Sequence, residues 1–417
     1  MQRFYDERFG SRERQIQAAP AAQLGLAVVI PCHDEPDLLS SLTALWNCVR
    51  PSCAVEVIVI INAANNADAG VQERNLATFK AAASWAEAHH ELNFVYHILH
   101  QAELPPKHAG VGLARKIGMD EAAARLRMAG RADAPIVCFD ADSLCDANYL
   151  RELERHFLNN PGTDACSIYF EHPLSGPLKP EIYEAIAHYE LHLRYYVEGL
   201  RLAGFPHAYH TIGSSMAVRA ETYQKQGGMN KRQAGEDFYF LHKLIPLGNF
   251  TELNSTRVIP SPRASHRVPF GTGKAVGEYL ENPKLETYPL DAFLDLGKIC
   301  QLPEKAAGEG FHMDDSSLMD SVKTFLEPLR ISEVIEEIKK NTSNSAAFQK
   351  RFFRWFDGFM AMKFVHHARD KYYGAREVYG EASRLARLTW PKSEPSSGVK
   401  ELLGVYRMRQ RGGAKQH

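Results

Sequence analysis

Short apolar runs that alternate with helical segments constrain the fold of this chain more than any other feature. Apolar runs rich in β-branched residues occur at 26–30 (LAVVI), 55–61 (VEVIVII), 94–99 and 136–139, and segments with helical periodicity lie between them. Such runs are typical of strands buried on both faces of a parallel sheet. The alternation from residue 26 to about 170 therefore predicts an α/β fold with a doubly wound, mostly parallel sheet.

The 417 residues divide into three regions by pattern. Residues 1–25 form a polar N-terminal arm, residues 26–279 carry the alternating strands and helices, and residues 280–417 are mainly helical. Residues 303–318 are polar and contain glycine, which is typical of a linker or of a surface excursion. The length is compatible with two or three domains.

The composition excludes several classes of protein. Hydrophobic residues make up 45% and charged residues 24%, as in globular proteins, and the net charge of -1 provides no overall field that would attract nucleic acid. No apolar run approaches the roughly 20 residues of a membrane helix, and the N-terminus lacks the apolar region of a signal peptide. The seven cysteines form no C-x-x-C pair, which favours a reducing, cytoplasmic setting over a zinc or disulfide framework.

Two carboxylates directly follow the strand at 136–139, in Asp140-Ala141-Asp142. Ligands of doubly wound sheets bind beyond the carboxyl ends of the strands. Carboxylates spaced in this way can hold Mg²⁺ or Mn²⁺, which in turn binds a diphosphate. We therefore predict a metal and diphosphate site here, with an exposed turn as the structural alternative.

A second acidic pair, Glu236-Asp237, lies about one hundred residues later. A carboxylate opposite a leaving group can act as a general base on an attacking hydroxyl. The structural alternative is a pair of acids in the first turn of a helix, where they are favoured electrostatically.

Basic residues occur in two further segments. Arg263, His266 and Arg267 lie in a Pro- and Gly-rich loop, where the arginines suit phosphate oxygens and His266 is a candidate metal ligand; an ordinary surface contact is the alternative. Residues 110–118 (GVGLARKIG) lack the spacing of a dinucleotide-binding motif. This segment predicts a helix N-terminus close to a phosphate, with Arg115 facing it.

Taken in chain order, these motifs resemble those of the inverting family 2 glycosyltransferases. The similar elements are VVIPCHDEPDLL, the Gly110–Gly118 segment, Asp140-Ala141-Asp142, Gly213-Ser-Ser-Met-Ala-Val-Arg219, the Gly227-Gly228 turn and Glu236-Asp237. The resemblance covers roughly residues 26–275, and the order of the elements is more specific than any single one.

The resemblance implies a GT-A nucleotide-diphospho-sugar transferase fold and a hexosyltransferase-like enzyme that moves a sugar from a nucleotide sugar to an acceptor hydroxyl. Asp142 would hold Mg²⁺ or Mn²⁺, Asp140 would reach the ribose or the metal, and Asp237 would take the acceptor proton while the anomeric centre inverts. The donor contacts expected from the strand ends, the loops and the resemblance are Pro31, Glu35, Asn62, Arg115, Asp140, Glu236, Arg263 and Arg267.

The chain departs from the family pattern at two motifs, and these departures limit the kind of glycosyltransferase that the resemblance implies. The Asp-Asp-Gly-Ser after the second strand is replaced by Asn62-Ala-Ala-Asn65-Asn66, and the Gln-x-x-Arg-Trp motif of processive synthases is absent. We therefore expect a non-processive enzyme. Its acceptor would be a small molecule, a glycan or a lipid-linked molecule. Alternatives are a non-catalytic nucleotide-sugar-binding protein and a retaining GT-A enzyme acting on a small acceptor.

An aromatic and basic segment lies at 348–373. One interpretation is an amphipathic helix that presents its aromatic side chains to the inner face of a membrane, making the protein peripheral. The favoured interpretation is a buried helix with Lys and Arg reaching solvent, because Asp357 and Asp370 interrupt the basic face.

Overall fold

A computed structural model describes residues 5, 10, 14–265, 271–307, 318–391 and 397–412. The chain forms two compact units: the first consists of the described residues of Met1–Pro173, Thr211–Lys274 and Arg411–His417, and the second of those in Leu174–His210 and Ala275–Gln410. Residues 174–210 lie in the middle of the sequence region 26–279, and in the structure they group with the C-terminal helices.

The first unit contains an eight-stranded sheet. Its strands are β1 Leu24–Cys32, β2 Ala54–Ala64, β3 Phe94–Leu104, β4 Pro135–Cys138, β5 Leu144–Cys145, β6 Ala165–Phe170, β7 Met216–Arg219 and β8 Phe250–Ile259. Their order across the sheet is β3-β2-β1-β4-β7-β6-β8-β5. Only β5 and β7 run antiparallel to their neighbours, so the other six strands share one direction.

Helices connect the strands and make up most of the second unit. In chain order they are α1 Leu38–Trp46, α2 Ala69–Ala88, α3 Val111–Met128, α4 Tyr149–Asn159, α5 Pro180–Leu202, α6 Ala220–Lys225, α7 Glu236–Leu244, α8 Thr272–Glu281, α9 Leu290–Cys300, α10 Leu302–Ala307, α11 Asp320–Leu326, α12 Ile331–Lys340, α13 Ser345–Trp355, α14 Gly358–Ala368, α15 Val378–Thr389 and α16 Val399–Arg411. The predicted fold class, a mostly parallel α/β sheet with a mainly helical C-terminal region, is confirmed.

The core of the sheet lies where the strand order reverses. Strand β1 pairs in parallel with both β2 and β4, and every residue of β1 is buried. Helix α3 packs directly on β1 and β2 because Gly118 has no side chain. A Cβ atom at this position would lie 3.2 Å from Cγ1 of Ile60 in β2 and would overlap Val29 in β1. The reversal between β1 and β4 is the switch point at which doubly wound sheets bind ligands.

The described part of the N-terminal arm is bound to the sheet through a buried ion pair. Arg125 on α3 donates to Oε1 of Glu56 over 2.8 Å and to the carbonyl of Ala18 over 2.9 Å, while Glu56 also accepts from the N–H of Ala21. Burial opposes ionisation of Glu56, but Arg125 and its other donors lower its pKa to about 2. The arm therefore packs as part of the first unit.

The aromatic segment of the second unit forms two helices rather than one. Helix α13 ends at Trp355, and the carboxylate of Asp357 accepts from the N–H of Met360 to begin α14. Phe352, Phe353 and Phe356 are buried, so the interpretation in which they contact lipid is wrong. Among the described residues, no helix is both long and apolar enough to cross a membrane.

The prediction of a linker at 303–318 is wrong for its first five residues. Residues 303–307 belong to helix α10, where Leu302 and Ala306 are buried in the helical core of the second unit. Residues 308–317 lie outside the described part of the chain.

Candidate functional site

The Asp140–Asp142 turn is anchored on both sides where β4 ends. The N–H of Phe139 bonds to the carbonyl of Val29 in β1, and the N–H of Ser143 closes the turn onto the carbonyl of Asp140 over 3.1 Å. The hydroxyl of Ser41 on α1 donates to the carbonyl of Ala141 over 2.8 Å. The side chains of Asp140 and Asp142 are 38% and 28% exposed, so both carboxylates are held in place yet open to a ligand.

Arg115 joins this turn to the second acidic pair. Its guanidinium donates from Nη2 to Oδ1 of Asp140 over 2.7 Å and from Nη1 to Oε1 of Glu236. The side chain is only 2% exposed. Burial lowers the pKa of Arg115, but Glu236 and Asp140 raise it further than burial lowers it, so the group is charged. One cation therefore connects α3, the β4 turn and the start of α7.

Both acids of the second pair lie in the first turn of α7. Gly235 precedes them with φ +69°, a left-handed conformation that glycine adopts without strain. Oδ1 of Asp237 accepts from the N–H of Phe238 over 2.7 Å. The helix N-terminus thus stabilises Asp237, as the structural alternative expected, and at the same time holds it beside Arg115.

Gly213 provides the space in which Arg115 and Asp237 meet. A Cβ atom at this position would lie 2.6 Å from Nη1 of Arg115 and 3.0 Å from Oδ2 of Asp237. A side chain at this position would force both charged groups to shift, so glycine lets the backbone before β7 pack against them.

The cluster contains one guanidinium and three carboxylates. Burial raises the pKa of Glu236 to about 7, with Arg115 opposing the rise, and burial also raises the pKa of Asp237. Carboxylates this close titrate as a set rather than singly. Both acids of the pair are therefore harder to ionise than ordinary carboxylic acids.

Arg263 approaches the Asp140–Asp142 turn from the loop after β8. Its Nη2 donates to both carboxylate oxygens of the buried Glu35, over 2.8 and 2.9 Å, and lies 3.8 Å from Oδ2 of Asp142. The structure thus brings together the acid after β1 and the arginine after β8. His266 and Arg267, from the same predicted loop, lie outside the described residues.

The other predicted contacts lie at the ends of β1 and β2. Pro31 is buried within β1 opposite Ile60. The carbonyl of Asn62 accepts from Nδ1 of His33 over 2.8 Å and from Nδ2 of Asn75 over 3.0 Å. Oδ1 of Asn62 is buried and has no hydrogen-bond partner in the described part of the chain, which leaves an acceptor for a ligand.

The glycines before Arg115 have a packing role that the sequence interpretation missed. A Cβ atom at Gly110 would lie 2.8 Å from Cα of Gln233, and one at Gly112 would overlap the carbonyl of Arg232. The loop that leads to α7 therefore packs directly against these glycines. Arg115, farther along the helix, faces Asp140 and Glu236. A phosphate at this helix N-terminus stays a prediction.

Ser41 is a site residue that sequence reasoning did not identify. It lies on the buried face of α1 with Leu38, Leu42 and Leu45. A small polar residue among leucines at helical spacing was the available signal, because a buried hydroxyl needs a partner. Here the partner is the Asp140–Asp142 turn.

Comparisons with known proteins give only distant similarity. No protein-family model matches the chain, and no curated protein matches its sequence. Among solved structures, it is similar to S. aureus TarS 1-349 in complex with UDP-GlcNAc, with 12% identity, a TM-score of 0.42, and coverage of 76% of this chain and 92% of that chain. It is also similar to S. aureus TarS 1-349 in complex with UDP, with 11% identity, a TM-score of 0.41, and coverage of 80% of this chain and 92% of that chain. These values are too low to support an argument, so any function must be inferred from the site itself.

Proposed function

We propose that this protein is a glycosyltransferase that moves a sugar from a nucleoside-diphosphate sugar to an acceptor hydroxyl. The observation that carries the proposal is the joining of two acidic motifs by one buried cation: Arg115 bonds Asp140 on the exposed turn and Glu236 beside Asp237. The exposed carboxylates of Asp140 and Asp142 suit binding of a diphosphate leaving group. The half-buried carboxylate of Asp237 beside them suits deprotonation of a nucleophile.

A divalent cation, Mg²⁺ or Mn²⁺, is part of this proposal. Among the described residues, no group of three or more His, Cys, Asp and Glu side chains could hold a metal ion. A cation that also binds phosphate oxygens and waters needs only one or two protein carboxylates. Asp142 and the Asp140 oxygen that Arg115 does not occupy fit that requirement, and the cation would neutralise charge on the departing diphosphate.

Asp237 is the proposed general base. Its carboxylate would accept the acceptor's hydroxyl proton as the oxygen bonds to the anomeric carbon and the bond from that carbon to the diphosphate oxygen breaks. A raised pKa brings a carboxylate closer to the optimum for proton transfer near neutral pH. A single displacement of this kind inverts the anomeric centre, which distinguishes the proposal from the retaining alternative.

The remaining predicted residues complete the proposed donor site. Arg115 and Glu236 position Asp140 and Asp237, and Arg263 lies close enough to Asp142 to reach a phosphate bound there. Oδ1 of Asn62, which has no hydrogen-bond partner among the described residues, is an acceptor for a donor group of the nucleotide. Pro31, Glu35, Arg267 and, for the metal, His266 complete the proposed set.

Thermal unfolding with UDP, GDP, CDP and ADP and their sugar conjugates, each with and without Mn²⁺, tests the donor site. A ligand at one hundred times its Kd stabilises the fold by about 2.7 kcal/mol, which a melting curve resolves. We expect a metal-dependent rise in Tm for one nucleotide, lost in Asp142→Asn and retained in Asp133→Asn, a matched change at a half-exposed aspartate paired with Arg131. The proposal would be overturned if no nucleotide raised the Tm of the folded protein.

Turnover separates an enzyme from the binding-protein alternative. We expect slow release of free sugar from the bound donor, which requires no knowledge of the acceptor. Asp237→Asn should retain the thermal shift and lose this hydrolysis. Donor binding without hydrolysis or transfer to any hydroxyl would favour a non-catalytic nucleotide-sugar-binding protein.

A further inference from the structure

Two cysteines that the proposed function does not use face each other beside the Asp140–Asp142 turn. Cys48 follows α1 and Cys145 ends β5, three residues after Asp142. They are 97 residues apart in sequence, yet their Sγ atoms lie 3.6 Å apart. Cys48 is buried and Cys145 is partly exposed, and both are free thiols.

The thiol of Cys48 lies 3.4 Å from the carbonyl oxygen of Ala44 and 3.8 Å from that of Asp146, to which it can donate. The net effect of its surroundings is nevertheless a lowered pKa. The contact with the Cys145 thiol lowers the pKa of Cys48 although burial opposes it, and the backbone N–H groups of Leu150 and Tyr149 and the guanidinium of Arg50 lower it further. Leu150 and Tyr149 open α4, so Sγ lies at the N-terminus of an eleven-residue helix. Reactive cysteines occur at such helix N-termini next to a basic residue.

Cys145 has the opposite character. The nearby Cys48 and burial raise its pKa well above the ordinary value. Of the two thiols, Cys48 is therefore the one that loses its proton more readily, and Cys145 keeps its proton. An attacking sulfur and a second sulfur within van der Waals reach are the arrangement from which a disulfide forms.

We propose that Cys48 and Cys145 form a redox pair that a hydroperoxide oxidises to a disulfide. The Cys48 sulfur attacks the peroxide, the O–O bond breaks, and hydroxide leaves and is protonated to water, so that a sulfenic acid remains. The Cys145 sulfur then attacks the sulfenic sulfur, its S–O bond breaks, and a second water leaves with the thiol proton. Two thiols are oxidised as one hydrogen peroxide is reduced to two waters.

The movement that this bond requires is small. A disulfide has an S–S length of about 2.05 Å, so the two sulfur atoms must approach by roughly 1.5 Å. The backbone segments beside them are already joined, because the N–H of Val49 bonds to the carbonyl of Ala147 over 2.7 Å. The disulfide would add a covalent link between the end of α1 and the segment after the Asp140–Asp142 turn, which Ser41 already holds from the same helix.

The chemistry can be tested without a donor or an acceptor, so its outcome is separate from that of the proposed function. The full chain is treated with hydrogen peroxide, free thiols are alkylated, and the digested protein is analysed by mass spectrometry. We expect a cross-linked peptide pair containing Cys48 and Cys145, lighter by two hydrogen atoms than the reduced peptides and separated again by dithiothreitol.

Two variants sharpen this experiment. In Cys145→Ser the link cannot form, and we expect a sulfenic acid on Cys48 that dimedone traps. Cys53→Ser is the matched control, since Cys53 is also partly exposed but burial raises its pKa to about 12, and it should form the 48–145 link as wild type does. Full alkylation of Cys48 and Cys145 after peroxide treatment, or a link from Cys48 to a different cysteine, would overturn the proposal.

Discussion

Nη2 of Arg115 donates a 2.7 Å hydrogen bond to Oδ1 of Asp140, from a side chain that is almost completely buried to one that is partly exposed. This bond fixes one oxygen of Asp140 toward the protein and leaves the other for a ligand. Since Arg115 also bonds Glu236, the acidic pair of α7 and the turn after β4 share one guanidinium. The two motifs of the site therefore act as one electrostatic unit.

Replacing Arg115 by Met should destabilise the fold strongly. The change removes the only cation that Glu236 is seen to contact among the described residues and leaves a buried carboxylate without a partner. Breaking a buried pair in this way typically costs about 3–5 kcal/mol. Chemical denaturation measures the loss. Arg74→Met, which removes an exposed arginine paired with Asp34, is the control and should change the midpoint little; equal losses in both variants would contradict a buried pair at Arg115.

Ionisation of Glu236 should lower the stability of the fold as the pH rises. Its pKa is raised from 4.5 to about 7 on folding, mainly by burial. Because the folded pKa is the higher one, the stabilisation is complete below about pH 4.5 and is lost as the pH rises through about 7. Relative to Glu236→Gln, wild type should lose roughly 1–3 kcal/mol of unfolding free energy across this window. Denaturation of both proteins at several pH values measures the difference, and parallel profiles would refute it.

The same carboxylates should control the rate of sugar release. Asp237 can act as a base only when ionised, and its pKa is raised by burial. We therefore expect kcat/KM to rise with pH and to level off above the pKa of the carboxylate pair. Glu236→Gln removes one neighbouring negative charge, so the rise should move to lower pH. A profile that is flat in wild type, or unmoved in the variant, would argue against Asp237 as the base.

Local sequence patterns predicted the strands that consist almost entirely of apolar residues. The apolar runs predicted at 26–30 and 55–61 lie within strands β1 and β2, which consist almost entirely of buried apolar residues. Strand β8 (FTELNSTRVI) was not predicted, because polar residues dominate it and its burial does not alternate with the period of two expected for a strand. The grouping of α5 with the C-terminal helices depends on tertiary contacts, which no local pattern encodes.

In the candidate site, too, the sequence identified residues from their local position but did not predict contacts between residues distant in sequence. Asp140 and Asp142 were identified because they follow a strand, and that position is visible in the sequence. The bonds from Arg115 to Asp140 and to Glu236 join residues 25 and 121 positions apart, and the contact between Cys48 and Cys145 spans 97 positions. Pairings at such separations follow from the order of strands in the sheet, which a single sequence does not reveal.

Gly213→Ala should impair catalysis as well as folding. The added methyl group would lie 2.6 Å from Nη1 of Arg115 and 3.0 Å from Oδ2 of Asp237, so both charged groups must shift. Overpacking costs about 1–3 kcal/mol, while misplacing a catalytic group by about 1 Å costs up to roughly 100-fold in rate. Gly162→Ala is the matched control, because in the described structure nothing lies within 4 Å of its Cβ. Sugar release and Tm are measured for both, and a Gly213→Ala protein with wild-type kcat would show that Arg115 and Asp237 do not need this spacing.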